Sequence, residues 1–193
     1  MRFDNPPAMA AWRHCAAREG FEVTFLRATS TGMLINGSTT AIEGGRGWTV
    51  EYSIALDSEW RTRHAQVAVR HESSRESVRL AANGVGSWTV NGIAAPALDG
   101  CVDIDLEASA CTNALPIHRL SIGVGEEVDA PAAYVHLAVP KVTRLEQRYH
   151  RIPDDGARHR FDYRAPEFDY SGVLVYDASG LIVDYPGLAV RQQ

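Results

Sequence analysis

Trp48-Thr49-Val50-Glu51-Tyr52-Ser53-Ile54-Ala55-Leu56-Asp57 alternates large apolar residues with small or polar ones over ten positions. A period of two puts Trp48, Val50, Tyr52, Ile54 and Leu56 on one face, as in a strand with one buried side. The next segment, Arg61 to Arg70, repeats the pattern, with Ala65, Val67 and Val69 on one side and His64, Gln66 and Arg70 on the other. Asn83-Gly84 and Asn91-Gly92 bracket Val85 to Val90. Asn-Gly suits two-residue hairpins because both residues tolerate positive φ, so residues 77–98 read as a three-stranded meander.

Further strands are expected at Val102–Leu106, Ile117–Val124, Ala133–Val139, Arg160–Arg164, Phe168–Val175 and Leu181–Asp184. Strands at short spacing with turn residues between them predict a mostly β, antiparallel architecture. The strand–helix alternation of a doubly wound fold is missing. Helix is scarce, and Ser109–Leu115 reads as a short one, with Ser109 as N-cap and a stop before Pro116. Arg119 then falls in a strand. Pro6 to Glu19 reads either as a capped helix or as the opening of the first strand. For residues 142–152 the alternation of Leu145, Gln147 and Tyr149 favours strand.

At 193 residues with 45% hydrophobic and 22% charged residues, the chain reads as one globular domain spanning 1–193. A formal charge of −5 argues against nucleic acid, which would favour a basic face, and no nucleic-acid partner is expected. Charge is segregated: Asp99 to Asp129 holds seven acids and one arginine, while Lys141 to Arg164 holds seven bases and four acids. Cys15, Cys101 and Cys111 form no CxxC pair, so three reduced thiols are expected and no structural zinc. The N-terminus lacks an apolar signal region and no window suits a transmembrane span, which makes the cytoplasm the expected compartment.

The candidate chemistry starts at Asp103 and Asp105, two apart on one strand and facing the same way with Glu107. They read as a paired carboxylate site, as a solvated face, or as partners of Arg119. Arg119 in turn suits an anionic headgroup or an ion pair. The seven histidines show no HExxH or i,i+4 pair, and no nucleophile elbow or phosphate loop exists. No metal or cofactor is therefore expected. Trp48, Tyr52, Trp60, Trp88, Tyr134, Tyr149, Tyr163, Phe168, Tyr170 and Tyr185 spread over almost every proposed strand. Such rings suit sugars and lipid headgroups, and equally fill a β core.

Several phrases resemble one family. They are Trp60-Arg61-Thr62-Arg63, Gly86-x-Trp88, Asp103-x-Asp105-Leu106, Thr112-Asn113 to Leu120, Gln147-x-Tyr149 and Gly180 to Leu188. In this order they are similar to bacterial proteins described as putative glycolipid-binding. The resemblance implies a spiral β-roll wrapped around one helix, distantly similar to bacterial lipoprotein carriers. It implies a non-enzymatic carrier of a glycolipid or other small amphiphile. On that reading Trp60, Trp88, Tyr149 and Tyr185 line a cavity, and Arg61, Asp103, Asp105 and Arg119 orient the headgroup. The competing readings are a hydrolase or sugar-modifying enzyme using Asp103, Asp105 and His118, and a homodimer formed through a sheet edge.

Overall fold

The computed structural model describes residues 3–16, 18–72, 74–137 and 140–192. Its main element is a 14-stranded antiparallel sheet, open at both edges. One half starts at edge strand Glu127–Asp129 and continues through Arg148–Asp155, Arg158–Ala165, Tyr170–Tyr176, Ile182–Tyr185 and Ala189–Gln192. Ala189–Gln192 pairs with Met9–His14, which joins the two ends of the chain inside the sheet. From there the order follows the sequence: Arg18–Thr29, Gly32–Glu43, Arg46–Asp57, Thr62–Arg70, Arg75–Ala82, Trp88–Val90 and Ile93–Ala94. A second, three-stranded sheet sets Ala132–Val135 between Val142–Leu145 and Asp103–Leu106, and its pairing with Asp103–Leu106 is parallel.

The alternation at Trp48 decides the core as expected. Trp48, Val50, Tyr52, Ile54 and Leu56 are all buried, and Val50, Tyr52 and Ile54 face Val69, Val67 and Ala65 in register. Gly37 stands opposite Tyr52, and a Cβ there would collide with the tyrosine ring. That missing side chain lets Tyr52 lie along the sheet and carry its hydroxyl to Glu22.

The meander forms with one amendment. Asn91 and Gly92 both take positive φ, 51° and 81°, and close the two-residue hairpin between Val90 and Ile93. Asn83-Gly84 instead opens a wider loop, in which the Asn83 amide oxygen accepts from the backbone N–H of Val85 and Ser87. Met9–His14 resolves the N-terminal alternative in favour of strand, and 142–155 is strand on both sides of a short break. Phe168 lies in the 3₁₀ turn Pro166–Phe168 rather than in the strand that follows. The end of the 133–139 run, at 138 and 139, lies outside the described residues.

The helix is the main correction. A 3₁₀ turn at Cys111–Asn113 leads into α1, Ala114–Leu120, so the helix runs through Pro116 and the expected strand at 117–124 does not form. Pro116 sits in the first turn of α1, where its missing N–H would have had no intrahelical partner. Ser121, at φ 46°, ends the helix. Ser109 Oγ accepts from the Thr112 N–H, as a cap would, while Glu22 takes those of Ala110 and Cys111.

This segment is gripped from both halves of the sheet. Glu22 and Thr62 reach the 103–111 region from one half, and Tyr149 and Tyr176 reach Asn113 from the other. Leu115 and Ile117 are fully buried between them. Both halves of the sheet thus hold the segment that leads into α1.

Candidate functional site

Between the 103–113 segment and the tyrosine-bearing half of the sheet lies a cavity of about 320 Å³. Its apolar walls come from Leu106, Leu145, Ala165, Phe168 and Leu188. Asp105 and Asn113 stand in its polar part, and the rings of Tyr134, Tyr163, Tyr170 and Tyr185 line it from four strands. Arg18, Glu107 and Ser109 complete the lining.

Asp105 is placed by the short strand Asp103–Leu106, buried on both faces. Its carboxylate accepts from Thr112 Oγ1 at 2.7 Å and Gln147 Nε2 at 2.9 Å. Burial pushes its pKa up to about 6, against the lowering effect of those two bonds. Tyr149 stands behind the cavity, fully buried, and its hydroxyl donates to Asn113 Oδ1 and Gln147 Oε1. It thus fixes the Gln147 amide that donates to Asp105 and the Asn113 amide that lines the cavity. Burial holds the phenols of Tyr134, Tyr163 and Tyr185 well above their ordinary range and that of Tyr170 at about 12, so all four stay neutral.

Arg18 spans one side of the cavity as a clamp. Its Nε donates to Glu43 Oε2 at 3.0 Å, its Nη2 to Glu107 Oε1 at 3.0 Å, and its Nη1 to the Glu107 carbonyl at 2.9 Å. Glu107 Oε2 is held by the Leu137 N–H at 2.8 Å.

Of the eight residues expected to contact a ligand, Asp105 and Tyr185 line the cavity and Tyr149 backs it, while Tyr134, Tyr163, Phe168 and Tyr170 of the wider aromatic set line it too. The others of the eight are engaged elsewhere. Asp103, 1% exposed, is paired with Arg119 through Nε at 3.0 Å and Nη2 at 2.6 Å. The Trp88 indole donates to the Cys101 carbonyl at 2.7 Å inside the core. Arg61 pairs with Glu59 at the surface. Trp60, at φ 62°, stacks on His118 with ring centroids 3.6 Å apart and planes 8° from parallel. The segregated charge blocks also meet: Arg148 pairs with Asp129 and Glu127.

Two functional features lie beyond the reach of the sequence pattern. Glu107 follows Asp105 at the same alternation, so its place on that face was visible, but its clamp with Arg18 joins residues 89 apart. Glu22 is fully buried and gave no signal at all.

His118 offers a pH test of the packing. Burial beside Trp60 and Phe3 lowers its pKa to about 4, and Nε2 has no hydrogen-bond partner. A histidine depressed in this way gives stability that is present above pH 6.5 and lost as pH falls through 4. Asp105 has the opposite sign, since its raised pKa gives stability present below 3.8 and lost as pH rises through 6. The variant difference separates the two. H118F, which keeps the stack, is expected to match the wild type within about 1 kcal/mol at pH 7. Its advantage should grow by about 3 kcal/mol by pH 4 in urea unfolding. A difference that does not change with pH would contradict a neutral, buried His118.

Among the described residues no cluster of His, Cys, Asp and Glu could hold a metal ion, and no helix is long and apolar enough to cross a membrane. Cys15, Cys101 and Cys111 are free thiols. No protein of curated description matches the chain. A solved structure does: a DUF1089 family protein from Pseudomonas aeruginosa, determined by crystallography at 1.80 Å, is similar over 100% of this chain and 97% of its own. The two share 28% identity with a TM-score of 0.77. A family model described as "Putative glycolipid-binding" matches residues 9–191, and the chain belongs to that family.

Proposed function

We propose that the protein is a non-enzymatic binding or carrier protein, acting as one domain, and that its ligand is a glycolipid or another small amphiphile held in the 320 Å³ cavity. The observation that carries this reading is the lining itself. An apolar body of leucines and Phe168 adjoins a polar part in which Asp105, Asn113 and four neutral tyrosines converge. Ligand sites combine these features, an apolar enclosure with few, fixed polar groups, at volumes of about 300–1,000 Å³. The family description fits the same ligand class.

On this reading Asp105 and Tyr185 contact the ligand, Tyr149 positions the amides around Asp105, and Asp103 and Arg119 hold the strand that carries it. Trp60, Trp88 and Arg61 act in the frame. The hydrolase reading draws less support, because of Asp103, Asp105 and His118 only Asp105 lines the cavity. Native mass spectrometry of freshly purified protein, followed by solvent extraction, tests the proposal. A defined co-purifying amphiphile, displaced by the bulky rim substitution L188W, is the expected result. A clean apo mass that takes up no added alkyl glycoside would count against it.

A further inference from the structure

We propose that the cavity selects an uncharged, hydroxyl-rich headgroup, as in a glycoside, and rejects phosphate, sulfate and carboxylate headgroups. The inference rests on the reading of the cavity as an amphiphile site and adds the chemistry of the head. The charge inventory carries it. Among the described residues lining the cavity Arg18 is the sole cation, and each of its three guanidinium nitrogens already donates to Glu43 or Glu107. An anion reaching Arg18 would have to displace a carboxylate or lie beside one. Glu107 is itself locked, with one oxygen on Arg18 and the other on the Leu137 N–H. Arg119, on α1 and outside the cavity lining, is closed onto Asp103 by a two-point ion pair. An incoming anion therefore meets carboxylates without a free guanidinium, and like charges brought together at a desolvated site reject a partner.

The neutral groups point the other way. Phenols, the Asn113 amide and the Ser109 hydroxyl each donate and accept, as sugar hydroxyls do. The rings of Tyr163, Tyr170 and Tyr185 cluster with centroids 5.5 to 6.1 Å apart in tilted and edge-to-face arrangements, and offer aromatic edges and faces to a pyranose. A volume near the lower end of the usual range suits one ring and a short stretch of chain, not a two-chain lipid with a large head.

Isothermal titration with octyl β-glucoside and octyl phosphate, both below micelle-forming concentration, separates the possibilities because the tails are identical. Wild-type protein is expected to bind the glucoside at least about ten-fold more tightly. E107Q removes one negative charge from the lining, and its amide can accept from Arg18 or from the Leu137 N–H but not from both, so the readout is the ratio of the two affinities: octyl phosphate should gain several-fold relative to the glucoside. Equal affinities, tighter phosphate binding, or a preference that E107Q leaves untouched would overturn the selectivity while leaving the cavity as an amphiphile site. Failure of both ligands to bind would overturn the amphiphile site itself, and the selectivity with it.

Discussion

Asp103→Ala is expected to lower stability by about 3–5 kcal/mol at pH 7. Asp103 is 1% exposed, and burial pushes its carboxyl up against the lowering influence of Arg119. Removing the carboxylate strands a guanidinium whose side chain is only 16% exposed. A lone charge in that position loses its partner and cannot regain its water. For a chain of this size the loss corresponds to a fall of about 6–20 °C in Tm. The double variant D103L/R119M should recover most of it, because a buried pair replaced by apolar groups of similar volume is often neutral. Urea unfolding of the single and double variants checks both halves. A single-variant cost below about 1 kcal/mol, or a double variant no better than the single, would contradict the account. The pair also anchors the strand that carries Asp105, so D103A should weaken ligand binding beyond its effect on the folded fraction.

Glu22→Ala is the second large effect. The Glu22 carboxylate takes hydrogen bonds from Tyr52 Oη and Ser109 Oγ, each at 2.5 Å, and from the Ala110 N–H at 2.7 Å. Burial pushes the group up while these bonds pull it back. Each buried donor left without a partner costs about 1–3 kcal/mol. Tyr52 keeps an alternative in Thr24 Oγ1 at 2.7 Å, so of the four donors, counting the Cys111 N–H, three are stranded. The expected loss is about 3–6 kcal/mol, with E22Q intermediate because its amide keeps one acceptor and turns two N–H groups towards donors. Hydrogen exchange gives the local signature: the Ala110 and Cys111 amides should exchange faster in both variants. Unchanged exchange there would mean that Glu22 does not cap the 111–113 turn.

The strands were legible because their residues carry a period of two that burial then respects. Trp48 to Leu56 and Ala65 to Val69 needed nothing beyond alternation, and Asn91-Gly92 named its own turn. The helix was misread because Pro116 looks like a stop while only the first turn of a helix tolerates it. Alternation in Ile117-His118-Arg119-Leu120 then mimicked a strand. The 103–107 carboxylates were visible as one face, and the ion pair of Asp103 with Arg119 was among the readings. What separated Asp103 from Asp105 is tertiary: Arg119 reaches one, while Thr112 and Gln147 reach the other. Arg18 and Glu43 meet at the far end of one hairpin, but the Arg18–Glu107 and Glu22–Ala110 contacts, which join residues 89 and 88 apart, were invisible in the sequence. Among the aromatic residues, composition suggested an aromatic-lined site, but only the fold assigns Tyr163, Tyr170 and Tyr185 to the cavity and Trp88 to the core.

The most direct test of the cavity as a ligand site is methyl NMR of leucine-labelled protein titrated with octyl β-glucoside below its micelle-forming concentration. Saturable shifts confined to Leu106, Leu145 and Leu188, with Leu34 and Leu80 unmoved, are the predicted result. Absent shifts, or shifts spread evenly over all the leucines, would contradict it.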